Sequence, residues 1–363
     1  MTGTRPFNFN AGPSTIPQVA LERAQAELLD FQHTGMSIME HSHRGPVYEA
    51  VHEETIQLLT ELYAIPETHR VLFMQGGARA QFALLPMNLG HQDHLGDYVI
   101  TGVWGEKAYE EARTLGEPRL AWQERTAAGL YTRVPGAAEL RLSGAAAPYV
   151  HLTTNNTVMG SQFHELPETG GVPLALDMSS DILSRPLRFD NVGVIYAGAQ
   201  KNMGPAGITI LIIRKHLLAR ARTDLPSAFR YDVVAEHNSL QNTIPTFAVY
   251  MVRNVLLWLR EQGGVEAMER QNRLKSDLLY AAIDSSSDYY RCPVEPSSRS
   301  HMNVVFRLPT LEAERDFLAK AAAANLLGLK GHSLVGGIRA SLYNAMPLRG
   351  VEELTAFMKR YRP

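Results

Sequence analysis

Asp177 and Lys201 set the chemical question. Asp177 closes the apolar run Pro173-Leu-Ala-Leu-Asp177, and Lys201 lies in the next loop, Tyr196-Ala-Gly-Ala-Gln-Lys-Asn-Met-Gly-Pro-Ala-Gly207. A carboxylate at the carboxyl end of a strand faces the crevice where open α/β sheets bind ligands, so it can neutralise a cationic partner. Asp is also a favoured helix N-cap, which is the plainer reading of the same residue. A lysine in a Gly- and Pro-rich loop can be desolvated, lose its proton and form a Schiff base with an aldehyde. Alone, it reads equally well as a solvated turn lysine. Acid then lysine, on two strands of one sheet, is the pair required by a ring cofactor with a basic nitrogen and an aldehyde.

Such a cofactor also needs a phosphate cradle and a flat neighbour. Met74-Gln-Gly-Gly-Ala-Arg-Ala-Gln81 runs from a strand pattern into a helix pattern. Its glycines permit an open turn, the helix start offers free N–H groups, and Arg79 adds a charged donor. The spacing is neither that of a P-loop nor that of a dinucleotide fingerprint. Trp104 follows another strand end, where an indole can stack on a ring or simply pack in a core. Thr157, in Thr153-Thr-Asn-Asn-Thr157, can bond a phenolic oxygen or sit in a polar turn. Aldehyde, ring nitrogen and phosphate together describe pyridoxal phosphate. For an anionic substrate the candidates are Glu40-His-Ser-His-Arg-Gly45, Lys330-Gly-His-Ser333 and Arg339 in an apolar strand pattern. A buried arginine calls for a partner, and either a substrate carboxylate or an internal salt bridge supplies one.

Apolar runs at Val71–Met74, Tyr98–Thr101, Tyr149–Leu152, Pro173–Leu176, Val194–Ala197 and Ile208–Ile213 read as buried strands. Helical patterns separate several of them, at Gln81–Leu89, with Pro86 inside it, and at Glu106–Leu115. That alternation predicts an α/β fold with a mainly parallel sheet covered on both faces. From Phe247 to Glu261 the apolar spacing is helical, Gly263-Gly264 interrupts it, and a second helix runs from about Val265 to Ile283. A smaller α+β unit follows, with strands near Asn303–Leu308 and Ile338–Tyr343 and helices near Leu311–Ala324 and Val351–Tyr361. The expected division is an arm at 1–15, a large cofactor-binding domain at 16–262 and a small domain at 263–363. The segment Gly90–Gly96, with His91 and His94, reads as an exposed loop and not as a metal site. The basic run Arg214–Arg222 reads as a solvated helix face.

Composition narrows the function classes. The chain has 363 residues with 35 Lys and Arg against 37 Asp and Glu, a formal charge of −2. That balance argues against a nucleic-acid partner, though not against small-anion pockets. The single cysteine, Cys292, excludes an internal disulfide and Cys-rich metal sites, and fits a reducing, cytoplasmic location. No apolar run approaches the length of a membrane span.

Several ordered blocks make the chain similar to the phosphoserine aminotransferases of class V along essentially its whole length. They are Phe7-Asn-Phe-Asn-Ala-Gly-Pro13, Ser42-His-Arg-Gly45, Gly76-Gly-Ala-Arg79, Asp177-Met-Ser-Ser-Asp-Ile-Leu-Ser-Arg-Pro186, Tyr196–Gly207, Asn242-Thr-Ile-Pro-Thr-Phe247 and Gly336-Gly-Ile-Arg-Ala-Ser-Leu-Tyr-Asn-Ala345. The resemblance implies the aspartate-aminotransferase-like type I fold, pyridoxal phosphate, and a homodimer with shared sites. The implied reaction passes an amino group between glutamate and 3-phosphohydroxypyruvate, giving phosphoserine and 2-oxoglutarate in serine biosynthesis. A second use in vitamin B6 synthesis, through a phosphorylated hydroxythreonine, is left open. By motif position, Lys201 bonds the aldehyde, Asp177 holds the ring nitrogen, Trp104 stacks on the ring and Thr157 bonds the phenolic oxygen. Ala78 and Arg79, through their backbones, and Gln200 bind the cofactor phosphate, joined by Asn242 and Thr243 of the neighbouring subunit. Arg339 takes the substrate carboxylate, and His43, Arg44 and His332 take its phosphate. Three positions depart from the pattern: Ala78 stands for a common glycine, Ala11 for a common serine, and Ser333 for a common arginine. The last removes a charge from the phosphate pocket.

Overall fold

The computed structural model describes residues 5–91 and 93–361. The first four residues of the expected arm lie outside the described residues. In chain order the first half holds β1 (Phe7–Asn8), α1 (Gln18–Glu27), α2 (Pro46–Leu62), β2 (His69–Gln75), α3 (Gln81–Leu89), β3 (Asp97–Ile100), α4 (Val103–Arg113), β4 (Arg119–Gln123), β5 (Val150–Thr153), β6 (Leu174–Asp177), β7 (Val192–Gly198) and β8 (Ile208–Arg214). There follow α5 (Lys215–Leu218), α6 (Tyr231–Glu236), α7 (Thr246–Glu261), α8 (Gly264–Asp284), β9 (Asn303–Phe306), α9 (Leu311–Ala323), β10 (Leu326–Leu327), β11 (Ile338–Ser341) and α10 (Leu348–Tyr361).

Seven strands form one sheet in the order β2-β8-β7-β6-β5-β3-β4. All pairings are parallel except those of β8, which runs against both neighbours. β6 and β7 are buried at every residue, as a parallel sheet covered on both faces requires. Alternation along β8 assigns the faces. Ile208, Ile210 and Ile212 enter the core shared with α2 and α7, whereas Leu211 and Ile213 enter the core shared with α3, α4 and α6. A third core joins α8, α9, α10, β9 and β11, and Phe9 from the chain start inserts into it. β1 pairs with β10, which ties the N-terminal segment to this last unit.

Two local readings are corrected and one strand is added. Arg214–Arg222 is not a basic helix: Arg214 ends β8 with its guanidinium on the Asp190 carbonyl at 2.8 Å, and the helix spans only Lys215–Leu218. β4 lacked a strand signal because it is an edge strand with solvent-facing ends. His94 is not in an exposed loop. It is buried, 3.3 Å from the Asp97 carboxylate. No helix among the described residues is long and apolar enough to cross a membrane.

Candidate active site

The sheet topology brings five turns to one edge. β2, β3, β5, β6 and β7 all point the same way, so their carboxyl-end turns lie side by side. These turns carry Ala78 and Arg79, Trp104, Thr157, Asp177, and Gln200 with Lys201. The register places Asp177 opposite Thr153 on one side and Tyr196 on the other. Two glycines make the edge possible. Gly76 adopts φ +84°, left-handed backbone that favours glycine. At Gly102 a Cβ would stand 2.3 Å from Asn156 Oδ1, so only glycine lets the turn before α4 close on the turn after β5.

Lys201 Nζ donates to Thr157 Oγ1 at 2.8 Å and lies 5.8 Å from the centroid of the Trp104 indole. Its pKa is lowered to about 8, chiefly because the surrounding protein strips water from the ammonium. The nearby charge of Asp177 opposes that shift and the charge of Arg339 adds to it. After Asp177 the chain makes a turn and not the helix that a cap reading expects. Asp177 Oδ1 accepts from Ser179 N at 3.0 Å and Ser179 Oγ at 2.7 Å, a local cap-like contact. Ser179 Oγ in turn accepts from Gly198 N at 3.2 Å, which fixes β6 against β7. No donor among the described residues reaches Asp177 Oδ2.

Arg339 sits on β11, across from Val305 of β9, and donates to the Thr157 carbonyl at 3.4 Å. Its Nε is buried without a partner, and among the described residues it forms no ion pair. The internal salt bridge is thus not the explanation of this arginine. Its neighbour loop carries His332, half-buried, whose Nδ1 accepts from Leu334 N at 3.3 Å. The Arg79 guanidinium is not the charged donor read from the turn's residue types: it is mostly exposed and lies 3.6 Å from the Glu111 carboxylate.

The Aminotransferase class-V family matches residues 6–354. The chain belongs to the class-V aminotransferases. It is 50% identical over 354 residues to the phosphoserine aminotransferase of Lysinibacillus sphaericus, covering 98% of this chain and 97% of that one. Among solved structures, the phosphoserine aminotransferase from Bacillus circulans subsp. alkalophilus superposes with a TM-score of 0.95 at 49% identity, covering 98% of each chain. The PLP-bound phosphoserine aminotransferase from Trichomonas vaginalis superposes with a TM-score of 0.93 at 37% identity, covering 98% of this chain and all of that one.

In this class-V aminotransferase four further candidates form a second patch. Arg44 donates to the carbonyls of Leu240 at 3.3 Å and Gln241 at 3.1 Å. Asn242 and Thr243 follow immediately and are exposed, and the neighbouring His43 has a buried Nε2 without a partner. Within one chain, no described contact joins this patch to Lys201 or Asp177.

Several residues to which the sequence assigned no role support the site. Asn202 Oδ1 accepts from Asn344 N at 2.9 Å, linking the residue after Lys201 to the turn after β11. Lys275 of α8 is buried and donates to the carbonyls of Leu342, Tyr343 and Met346 at 2.9, 2.8 and 3.0 Å. Tyr343 Oη donates to the Ala11 carbonyl at 2.7 Å, so at Ala11 the backbone makes a contact for which no serine hydroxyl is needed.

Proposed function

We propose that this chain is a phosphoserine aminotransferase that uses pyridoxal phosphate and moves an amino group between glutamate and 3-phosphohydroxypyruvate. The observation that carries the reading is half identity to a phosphoserine aminotransferase over nearly the full length of both chains. The residues fit the cofactor. Trp104 Nε1 and Gln200 Oε1 are buried without partners, Asp177 keeps one oxygen free, and open space surrounds Gly76 and Gly77 where side chains would otherwise stand. In this reading Lys201 bonds the aldehyde, Asp177 faces the ring nitrogen, Trp104 covers the ring and Thr157 takes the phenolic oxygen. The backbones of Ala78 and Arg79, with Gln200, hold the phosphate.

Bound there, pyridoxal phosphate supplies an aldehyde that accepts the amino group and a ring that draws electrons from the substrate α-carbon. The protein's own residues do the rest. The Lys201 amine takes the α-proton and returns it, acting as base and then acid. A pKa near 8 leaves a useful share of that amine unprotonated close to neutral pH. Asp177 keeps a proton at the ring nitrogen, and Arg339 orients the α-carboxylate through a two-pronged contact.

The reading includes a homodimer with shared sites, in which Asn242 and Thr243 reach the partner's cofactor phosphate. Arg44 is tied to the carbonyls just before them, which supports His43 and Arg44 travelling to the same partner site for the substrate phosphate. Mixing Lys201→Ala with Asn242→Ala/Thr243→Ala under subunit exchange is expected to raise activity above both parents, because one site of each heterodimer is intact. Proven exchange without recovery contradicts shared sites. Arg44→Ala is expected to lower kcat/KM for phosphoserine about 10- to 100-fold, the value of one charged hydrogen bond, with glutamate far less affected. Equal losses for alanine, glutamate and phosphoserine mark Arg44 as structural. A half-reaction panel on the unchanged protein tests the whole reading, and outright preference for unphosphorylated amino acids replaces it with another aminotransferase activity of the same fold.

The same reading divides the chain into an arm at 1–15, a cofactor domain at 16–262 and a small domain at 263–363, supported by the separate core of the last unit. It also places the protein in the cytoplasm, supported by the lone Cys292.

A further inference from the structure

Asp181 is a second carboxyl group in the turn that follows Asp177, and it is fully buried. Among the described residues it forms no ion pair. The guanidinium of Arg185, further along the same turn, bonds the carbonyls of Phe163 and His164. Two uncharged side chains reach the carboxyl instead. Thr154 Oγ1 meets Oδ1, and Gln162 Nε2 donates to Oδ2 at 3.2 Å. The Gln162 amide is oriented from its other end, where Oε1 accepts from His301 N at 3.0 Å.

The protons available at Thr154 bear on the charge of this carboxyl. Thr154 Oγ1 also lies 3.1 Å from the Asp177 carbonyl oxygen. A threonine hydroxyl carries one proton, so it can donate to only one of the two. With Asp181 ionised, that proton goes to the carboxylate, and the contact with the Asp177 carbonyl has none. With Asp181 protonated, its Oδ1–H donates to Thr154 Oγ1, and the Thr154 hydroxyl donates to the carbonyl. Every contact then has a donor, from His301 N through Gln162, Asp181 and Thr154 to Asp177. The surroundings act in the same direction, because a buried carboxylate without a cation partner is unfavourable and the neutral acid is far less so. Burial, and then the charge of Asp177, raise the Asp181 pKa, while Arg185 and the two hydrogen bonds oppose the rise without reversing it. The remaining ionisable neighbours are engaged elsewhere: the Tyr63 hydroxyl turns to Met178 Sδ, and Lys201 Nζ donates to Thr157.

We propose that Asp181 is a positioning residue that works as a neutral acid. Its proton sets the Thr154 hydroxyl on the Asp177 carbonyl, and its lack of charge leaves Asp177 as the only anion at that end of the site. The same chain of donors ties the end of β6 to His301, in the segment that leads into β9, the strand paired with Arg339. The proposal rests on the assignment of Asp177 to the ring nitrogen, which Asp177→Asn tests separately.

Infrared spectra of the unchanged protein, with and without pyridoxal phosphate, are compared with those of Asp181→Asn at neutral pH. A protonated carboxyl absorbs above the amide and carboxylate bands, and ordinary carboxyl groups are ionised at that pH. One such band is expected in the unchanged protein, moved down in heavy water and missing from Asp181→Asn. Lys201 gives a second readout in the apoprotein, through its labelling by an amine-reactive reagent. An ionised Asp181 helps to hold the Lys201 proton, so Asp181→Asn would then lower the midpoint of labelling. A neutral Asp181 leaves that midpoint in place, which is the expected result. Asp181→Ala is expected to slow α-proton abstraction about 10-fold, the value of one buried hydrogen bond. Asp181→Asn, whose amide can donate to Thr154 and accept from Gln162, is expected to recover most of that loss. Absence of the carboxyl band overturns the proposal. So does a lowered Lys201 midpoint in Asp181→Asn, or a rate in Asp181→Asn no better than in Asp181→Ala. The band and the midpoint need neither Asp181→Ala nor any substrate. They therefore decide the charge of Asp181 even where that variant does not fold, or where the half-reaction panel replaces the phosphoserine reading.

Discussion

Lys201→Ala is expected to stop amino transfer while leaving the fold in place. The side chain ends on a single hydrogen bond, to Thr157 Oγ1, so its removal breaks no structural network. What it removes is the group that carries the α-proton, a contribution of about 10²- to 10⁴-fold for a positioned base, together with the covalent hold on the cofactor. Single-turnover absorbance changes with phosphoserine measure the loss. Borohydride reduction of the unchanged holoenzyme, followed by peptide mapping, is expected to find the cofactor on Lys201, and a label on another lysine contradicts the assignment. The amine's acidity adds a signed test. In the apoprotein, labelling of Lys201 by an amine-reactive reagent is expected to rise with pH through about 8, well below an ordinary lysine. Removing the Arg339 charge is expected to move that midpoint up, because Arg339 disfavours a second positive charge nearby. A midpoint near 10 for the unchanged apoprotein contradicts a desolvated amine.

Much of this site was legible because its parts sit at strand ends, where sequence signals are strong. An unbroken apolar run ending in one charged residue, as in β6 and Asp177, marks a buried strand and where it stops, although the acid itself reads first as a cap. The α3 boundaries were equally legible, since the glycine turn before the helix and Gly90 after it punctuate the apolar pattern. Harder were features that depend on direction. Arg79 stands in a turn that suits an anion, yet its long side chain reaches Glu111, a residue one helix away. Residue type could not show which way that side chain turns. Lys275 shows the reverse failure. Lysine in an amphipathic helix is normally solvated, and only the tertiary fold shows three carbonyls closing around it. The His43–Arg44 and Asn242–Thr243 pairs are almost 200 positions apart, and their adjacency follows from Arg44 reaching the Leu240 and Gln241 carbonyls, a contact no local pattern encodes.

At Asp177 a structural contact and the proposed chemical role meet, and substitution can part them. Oδ1 holds Ser179, and through Ser179 Oγ the contact extends to Gly198 on the strand that leads to Lys201. The second oxygen is free to face a protonated ring nitrogen. Asp177→Ala removes both functions. Asp177→Asn keeps a carbonyl oxygen for Ser179, but replaces the charged acceptor with an amide that cannot hold a proton on the ring. If the chemical role governs, both variants are expected to slow α-proton abstraction about 10²- to 10³-fold, the range for losing one electrostatic catalytic group of about 3–4 kcal/mol. Only Asp177→Ala is then expected to lower the melting temperature, since it leaves the buried Ser179 donors without an acceptor. The Asn variant also removes the negative charge that supports the Lys201 ammonium, so the apoprotein's Lys201 midpoint is expected to fall below about 8. Near-normal single-turnover rates in Asp177→Asn, with the melting temperature unchanged, reduce Asp177 to a cap for the turn at Ser179. The positive charge of the ring would then need another source of support.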